Sequence, residues 1–450
     1  MDVPFGTSAY SRQRGNIAEL PVVNMMAEAA PSEGRVILQS RPGIELYAEY
    51  GEGPVHGLYR RDGVLAGALF TVSGSTLYKA STSLGAIVVS GPLSWAGSEL
   101  ELCVNAGGAI YATNGTTLTA QAFPDSADVI KVWDLAGYVL AIKKDTARFH
   151  WRLIGVSTWD ALDYATAENE PDKLLDAVAI DDYNVLFGTE TIEFWPKTGD
   201  LDLPFAPTQG RVFEKGIRAT GCAAAFDNTV AWVSGDHIVY RAGNVPERVS
   251  DSGIEERIEK SATCSVFSFF WEGHELLAIR LDTGTWLYDA QTGEWCEWAS
   301  YGRVNFAGQN AIQGPLFGDF ETGKIFQFSD GFTDDGGVLE RRFRAGFPLE
   351  QAVGVMRVRL SGNSGQTGQL TGDYADPVIE CRTSRDAGQT WSTWRSAPLG
   401  KMGKYRQRIE WRRFGTFDDP AFLIEFRVTD PVPFRVSRVQ VNPKTGGRSR

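Results

Sequence analysis

Three pairs of adjacent acids, Asp181-Asp182, Asp334-Asp335 and Asp418-Asp419, and one Ser384-x-Asp386-x-Gly388-x-Thr390-Trp391 stretch are the residues whose type and spacing could do chemistry. Two carboxylates facing each other across a cleft, roughly 5 to 10 Å apart, would cleave a glycosidic bond. Neighbouring acids, however, point to opposite faces of a strand or to water in a turn, so all three pairs read as loop punctuation. The second stretch has the spacing of an Asp-box hairpin, in which the Asp386 and Ser384 side chains bond the turn backbone and Trp391 packs beneath. It reads as a folding device. His56, His150, His237 and His274 are each isolated in sequence. Gly51-Glu-Gly-Pro-Val-His-Gly57 lacks both the spacing and the lysine-serine ending of a phosphate loop. Cys103, Cys222, Cys264, Cys296 and Cys381 are odd in number, scattered and never in a CxxC pair, which indicates neither a disulfide framework nor a zinc site. These observations predict no catalytic residue, no cofactor, no metal, and cysteines that are reduced and mostly buried.

Charge is more informative. The net charge of −12 divides into −21 over residues 1–339 and +9 over residues 340–450. An acidic body repels nucleic acid, whose affinity for proteins is built from lysine and arginine neutralising phosphate. The basic part holds two clusters, Arg341, Arg342 and Arg344, and Lys401, Lys404, Arg406, Arg408, Arg412 and Arg413. They could contact DNA, but with so acidic a body close by the preferred expectation is docking to an acidic protein surface, such as the propeller of a neighbouring copy. The sequence shows no run of roughly 18 apolar residues and no basic region followed by an apolar stretch at Met-Asp-Val-Pro-Phe-Gly-Thr, so no membrane insertion and synthesis in a cytoplasm are expected.

The elements that would position these groups are β-strands. The chain carries 49 Gly, 13 Trp, 14 Tyr and 25 Phe, which favour pleated, half-buried surfaces separated by tight turns. One pattern recurs: an apolar strand, a Gly/Asp/Ser turn, and a strand ending in an aliphatic and an aromatic residue. Its closing aromatics are Tyr78, Tyr111, Phe149, Phe194, Tyr240, Tyr288 and Phe326, spaced 33 to 48 residues apart, about the length of a four-stranded propeller blade. The prediction is an all-β chain: a propeller of six to eight blades over residues 40–330, preceded by an extended segment 1–39. A linker over 331–345 would lead into a sandwich-like β domain over 346–443 and a short disordered tail over 444–450. One helix is expected at Ser252-Gly-Ile-Glu255, with Ser252 opening a capping box and Ile254 and Ile258 packing between blades.

In order along the chain, Val23-Asn-Met-Met-Ala-Glu28, Ser40-Arg-Pro-Gly43, Gly51-Glu-Gly-Pro-Val-His-Gly-Leu58, Val72-Ser-Gly-Ser-Thr-Leu-Tyr78, Leu162-Asp-Tyr-Ala-Thr-Ala-Glu168, Leu186-Phe-Gly-Thr-Glu-Thr-Ile-Glu-Phe-Trp195, Phe226-Asp-Asn-Thr-Val-Ala-Trp232 and Trp286-Leu-Tyr-Asp-Ala-Gln-Thr-Gly-Glu-Trp295 resemble the packaged-DNA stabilisation family of short-tailed bacteriophages, also called tail hub or nozzle proteins. The resemblance spans most of residues 10–330, is poor over 341–380, and resumes at Thr383 to Gly415. It implies a structural protein of the virion tail, assembled in the host cytoplasm as a ring of six copies below the portal and its adaptor or head-completion protein. The ring would close the DNA exit channel and seat a tail tip or needle, with a tailspike or fibre as a further partner, while genomic DNA passes without specific binding. Two other readings stand beside it: a virion-associated glycan-degrading enzyme of the sialidase-like propeller type, in which Asp boxes are common, and a propeller scaffold for protein–protein interaction.

Overall fold

The computed structural model describes residues 1–7, 20–30, 35–167, 172–312, 314–366 and 372–445. Among them, seven four-stranded antiparallel sheets follow one another as blades: blade 1 over 55–86, blade 2 over 94–121, blade 3 over 129–166, blade 4 over 174–213, blade 5 over 223–248, blade 6 over 264–298 and blade 7 over 308–328. The hairpin repeated in the sequence is the second and third strand of each blade. Every closing aromatic lies on a third strand, directly opposite an apolar or threonine residue of the second: Tyr78 faces Thr71, Tyr111 Val104, Phe149 Ile142, Phe194 Val185, Tyr240 Trp232, Tyr288 Leu277 and Phe326 Phe317.

Second strands are apolar because blades stack on both of their faces. Phe70–Ser73 and Leu102–Asn105 are buried at every position, whereas the outer strand Thr82–Ala86 is exposed or half-exposed throughout. Apolar clusters fill each gap between blades, and the last gap is filled by Val55, Leu58 and Leu69 of blade 1 against Leu316 and Ile325 of blade 7. Gln309 and Asn310 also donate across this seam to the Val55 carbonyl at 2.6 and 2.9 Å. Gly318 is required there: a Cβ would stand 2.4 Å from Val55 Cγ1. Blade 7 takes its outermost strand, Ile44–Glu49, from the beginning of the chain, so the ring is latched by pairing its two ends.

The helix forms at Ser252–Lys260, but its N-cap is Asp251, not Ser252; the Asp251 carboxylate accepts from the Gly253 and Ile254 amides at 2.7 and 2.9 Å. Ile254 and Ile258 are buried among residues of blades 4 to 6, while Glu255 accepts from Ser250 and pairs with Arg248.

Beyond the ring lies a two-sheet sandwich. One sheet orders strands Met25–Ala30, Arg35–Ser40, Arg435–Thr445, Val353–Gly362 and Ile409–Phe417, with Asp2–Val3 also paired to Arg435–Thr445. The other orders Arg341–Pro348, Ala421–Val428, Val378–Ser384 and Arg395–Pro398. Phe343 and Phe426, stacked at 4.9 Å, stand in the core with Met25, Leu38, Val358 and Ile424.

Three expected boundaries therefore change. Within 1–39, expected as an extended segment, the described strands Asp2–Val3, Met25–Ala30 and Arg35–Ser40 complete the sandwich, and residues 8–19 and 31–34 lie outside the described residues. Residues 331–345 are not a linker: Thr333–Asp334 pairs with Ile44–Glu49, and Arg341–Pro348 is a central strand. Residues 444 and 445 end a strand, and the remainder of the expected tail, 446–450, lies outside the described residues.

The two domains share backbone hydrogen bonds. Val22–Val23 runs parallel to the outermost strand of blade 6, Trp295–Trp298, and antiparallel to Arg341–Pro348, so blade 6 and one sandwich sheet form a continuous nine-stranded sheet. Beside it sits a buried polar node. The Arg41 guanidinium, fully buried, makes a two-pronged bond to Asp334 at 2.7 and 3.0 Å, donates to Asn24 Oδ1 at 2.8 Å and to the carbonyls of Pro42 and Ala299 at 2.9 Å each, and lies over the rings of Trp298 and Phe306. Asp334, expected to be solvated turn punctuation, is thus the buried counter-ion. Asn24, at a positive φ of 56°, also bonds the Glu340 carbonyl at 2.7 Å. Removing one partner of such a pair strands the other charge away from water, whereas removing both does not. Arg41→Met is expected to destabilise the protein by about 3–5 kcal/mol in urea unfolding, and Arg41→Met combined with Asp334→Leu to recover most of that loss.

Candidate partner-docking surfaces

The nine basic residues singled out in the sequence divide by burial. Arg341 is fully buried: its guanidinium donates to the carbonyls of Val432, at 2.6 Å, and Asp430, and lies over the Phe332 ring. Burial, and then the neighbouring Arg41 charge, push its pKa down to about 9, which still leaves it protonated at neutral pH. Arg344 is bonded to the buried Glu425 at 2.8 Å, and its guanidinium and that of Arg382 each lie 4.8 Å from the centre of the Trp391 ring. Arg342 pairs with Glu340 at 2.8 Å. The expectation that Arg341 docks a partner is therefore corrected, because the core strand buries its guanidinium, while Arg344 on the same strand is half-exposed and held by Glu425.

The second cluster is exposed. Residues 399–408 form a loop before Ile409–Phe417, folded by turns in which the Lys404 amide bonds the Lys401 carbonyl at 2.9 Å and the Gln407 amide bonds the Lys404 carbonyl at 3.1 Å. Ser364 Oγ pins it from beneath through the Tyr405 carbonyl at 2.9 Å. Lys401, Lys404, Arg406 and Arg408 point to solvent together with Met402 and Tyr405, which are 62% and 66% exposed. Of the remaining two, Arg412 pairs with Glu410 at 2.6 Å, and Arg413, also exposed, stands at a positive φ of 62°. The cluster thus comes together at one edge of the sandwich, without the three arginines of residues 341–344.

The Asp-box residues converge as their spacing requires. Asp386 accepts from the Thr390 amide at 2.8 Å and the Thr390 hydroxyl at 2.5 Å; Ser384 Oγ donates to Asp386 at 2.7 Å and accepts from the Gly388 amide at 2.8 Å; the Trp391 indole donates to the Gly388 carbonyl at 3.1 Å. The turn joins Val378–Ser384 to Arg395–Pro398 in the sandwich, outside the propeller. These bonds, the Thr390 hydroxyl first, hold the Asp386 carboxyl down at about 2. A carboxylate so committed is a turn clamp rather than a proton donor.

The histidines remain apart. His150 is buried against Phe123 and Tyr164, and burial pulls its pKa down to about 4. His274 Nδ1 lies 2.8 Å from Asp289 inside blade 6, His237 holds a turn at a φ of 67°, and His56 lies in the first strand of blade 1. Among the described residues no three of His, Cys, Asp and Glu gather as a metal site would require. The cysteines there are all free, four of them buried and Cys264 half-buried.

A protein with two β domains sharing one sheet can be compared with known families domain by domain. Residues 1–309 match the model described as the bacteriophage P22 Gp10 β-propeller, and residues 344–444 match the model described as the bacteriophage P22 Gp10 β-sandwich. The chain belongs to the phage P22 Gp10 family. The sandwich match runs unbroken through residues 344–380, where the sequence had resembled the family poorly. The propeller match begins at residue 1, although the N-terminal strands are built into the sandwich. Among curated proteins, tail hub protein gp10 of Salmonella phage P22 is 27% identical over 260 residues, which cover 51% of this chain and 55% of that protein. The chain thus spans about half the length of the curated relative it matches. Similar solved structures include the β-propeller domain of Cps50 (Swd1) from Myceliophteria thermophila, with 9% identity, a TM-score of 0.41, and coverage of 64% of this chain and 100% of that one. Another is BBS1N in complex with ARL6DN, with 8% identity, a TM-score of 0.38, and coverage of 72% and 98%.

The Asp386 clamp sets an acid limit in this Gp10-family sandwich. A carboxyl whose folded pKa is depressed contributes stability that is fully present above its unfolded value, near 3.8, and is lost as pH falls through about 2. Asp386→Ala is expected to cost about 1 kcal/mol at neutral pH, as the loss of a side-chain cap does. In thermal unfolding followed from pH 7 to pH 2, the gap between wild type and variant should stay constant down to about pH 5 and close by pH 2.

Proposed function

We propose that this chain is a structural tail-hub subunit of a short-tailed phage particle, in which copies form a ring beneath the portal and its adaptor protein. The ring closes the DNA exit channel after packaging and seats the tail tip, and its site of action is the virion tail, reached by assembly in the host cytoplasm. The observation that carries this reading is the match of both domains, in the same order along the chain, to a family whose named relative is a tail hub protein.

Two physical features support it. The first is stiffness. A hub transmits force between a head and a tail tip, and a propeller joined to a sandwich through shared backbone hydrogen bonds resists bending at that joint better than a flexible tether would. The second is charge: an acidic body of −21 over residues 1–339 lets DNA pass without adhering. The expected six copies, the adaptor, the tail tip or needle and any fibre belong to this proposal.

The reading assigns the chain no catalysis. Two of the carboxylates weighed for a glycan-cutting alternative are committed elsewhere, Asp386 to its turn and Asp334 to Arg41. Particles assembled without this protein are the test. Heads are expected to fill and then lose DNA, scored as empty capsids by electron microscopy and as loss of nuclease-resistant DNA, and to lack a tail tip. Heads that stay full and fail only in attachment would overturn the reading.

A further inference from the structure

The turns joining first to second and third to fourth strands of every blade open on the same face of a propeller, because successive strands alternate in direction. On that face three such loops lie together: 98–101 of blade 2, 154–163 of blade 3 and 197–211 of blade 4. They expose large apolar side chains, Leu162 and Leu201 at 83% each, Leu100 at 64% and Leu203 at 45%. Leu100 Cδ1 stands 3.5 Å from where a Cβ on Gly155 would be, which joins the first two loops. Asp163 ends the second loop, and its carboxyl is raised by burial and then by the charges of Asp160 in its own loop and Asp202 in the third. Each long loop presents its leucine through an aspartate-held turn, Asp160 accepting from the Leu162 amide at 2.8 Å and Asp200 from the Asp202 amide at 2.8 Å. The three loops thus expose four leucines on one face, beside Asp160, Asp163 and Asp202, like charges that repel one another in the free chain. Such a patch marks a surface that a partner covers.

The exposed sandwich loop 399–408 is its counterpart in both respects. It carries an apolar centre, Met402 and Tyr405, among Lys401, Lys404, Arg406 and Arg408. One molecule cannot bring the two together. The sandwich is joined to blades 6 and 7, and in a ring of seven blade 3 stands three steps from each, on the opposite side of the disc.

We propose that the basic loop 399–408 of one copy docks on the acidic, leucine-rich face of blades 2 to 4 of a second copy of this chain. A contact between opposite sides of one body is heterologous: it repeats from copy to copy, and it closes as a ring where the rotation between copies returns to the start. Cations from the partner relieve the repulsion among Asp160, Asp163, Asp200 and Asp202 while the leucines leave water. The inference deepens the ring assembly proposed above and rests on it for the closed arrangement. Its test uses purified chain and no particle, so failure to associate and failure to retain DNA are separate results.

Sedimentation velocity over a range of protein concentrations, at low and high salt, would read the association. Wild type is expected to oligomerise, more weakly as salt rises. Lys404→Glu with Arg406→Glu and Arg408→Glu should weaken association by at least about tenfold, as should Asp160→Lys with Asp163→Lys and Asp202→Lys. A chain carrying both sets should regain it. Leu162→Asp with Leu201→Asp, at sites too exposed to affect folding, should weaken it without changing the thermal unfolding curve. The proposal is overturned if wild type stays monomeric, if either reversal leaves association unchanged, or if the doubly reversed chain, folded by circular dichroism, does not recover. Binding of duplex DNA that the basic-loop reversal abolishes while association persists would assign the loop to nucleic acid and overturn it as well.

Discussion

A buried guanidinium needs a complete set of acceptors, and satisfying Arg41 fixes how the two domains meet. Its five bonds run to four separate segments: Asn24 in the N-terminal strands, Pro42 beside it, Ala299 after blade 6, and Asp334 after blade 7. None of these can shift by an ångström without leaving a charge unpaired in a site that water does not reach. Arg341 acts in the same way deeper in the sandwich, with carbonyls in place of a carboxylate. Because neither charge has water to fall back on, the orientation of sandwich against propeller is specified by polar geometry, with the Val22–Val23 backbone ladder running alongside. Apolar packing alone tolerates sliding; directed bonds to a planar guanidinium do not.

What was legible in the sequence follows from distance along the chain. The hairpin of second and third strands places its partners within about ten residues of each other, so alternation and turn residues display it directly, and the seven closing aromatics mark the seven blades. The latch does not display itself. Ile44–Glu49 pairs with Lys324–Phe328, and its residues give no signal that they finish a blade begun more than 250 residues later. The same holds for Met25–Ala30 and Arg35–Ser40, which read as an arm because the strand that completes them, Arg435–Thr445, is at the other end of the sequence. The pairing of Arg41 with Asp334, 293 residues apart, lay equally out of reach; an acid next to another acid and two glycines carries the composition of a solvated turn.

The basic residues illustrate a second limit. Type and spacing identify a cationic region, but a strand that alternates faces sends some of its arginines inward. In Arg341–Pro348, Arg341, Phe343 and Ala345 are buried while Arg342 and Arg344 are half-exposed, so the first arginine of the run is the one that no partner can reach. An arginine on the core face looks improbable from sequence until the carbonyls it caps are known, and those come from residues 428–432, far along the chain. The loop 399–408 needed no such knowledge. Lysine, glycine and tyrosine in a short run between strands favour the surface, and Lys401, Gly403, Lys404 and Tyr405 are exposed.

These placements bear on how such a body could serve in a ring. Hydrogen bonds run without interruption from the inner strand of blade 6 outward through Trp295–Trp298, across Val22–Val23 and into the sandwich, and the Arg41 node braces that path from the side of blade 7. A load applied to the sandwich therefore reaches the disc along a sheet sheared across many bonds at once. The alternative, a loop of the kind expected over residues 331–345, would have let each subunit rock independently and would have left neighbouring subunits to set one another's orientation. With the joint fixed inside the chain, the angle between its acidic and basic faces is a property of one folded molecule. In the ring proposed above, the curvature would then be set within each subunit before any two of them meet.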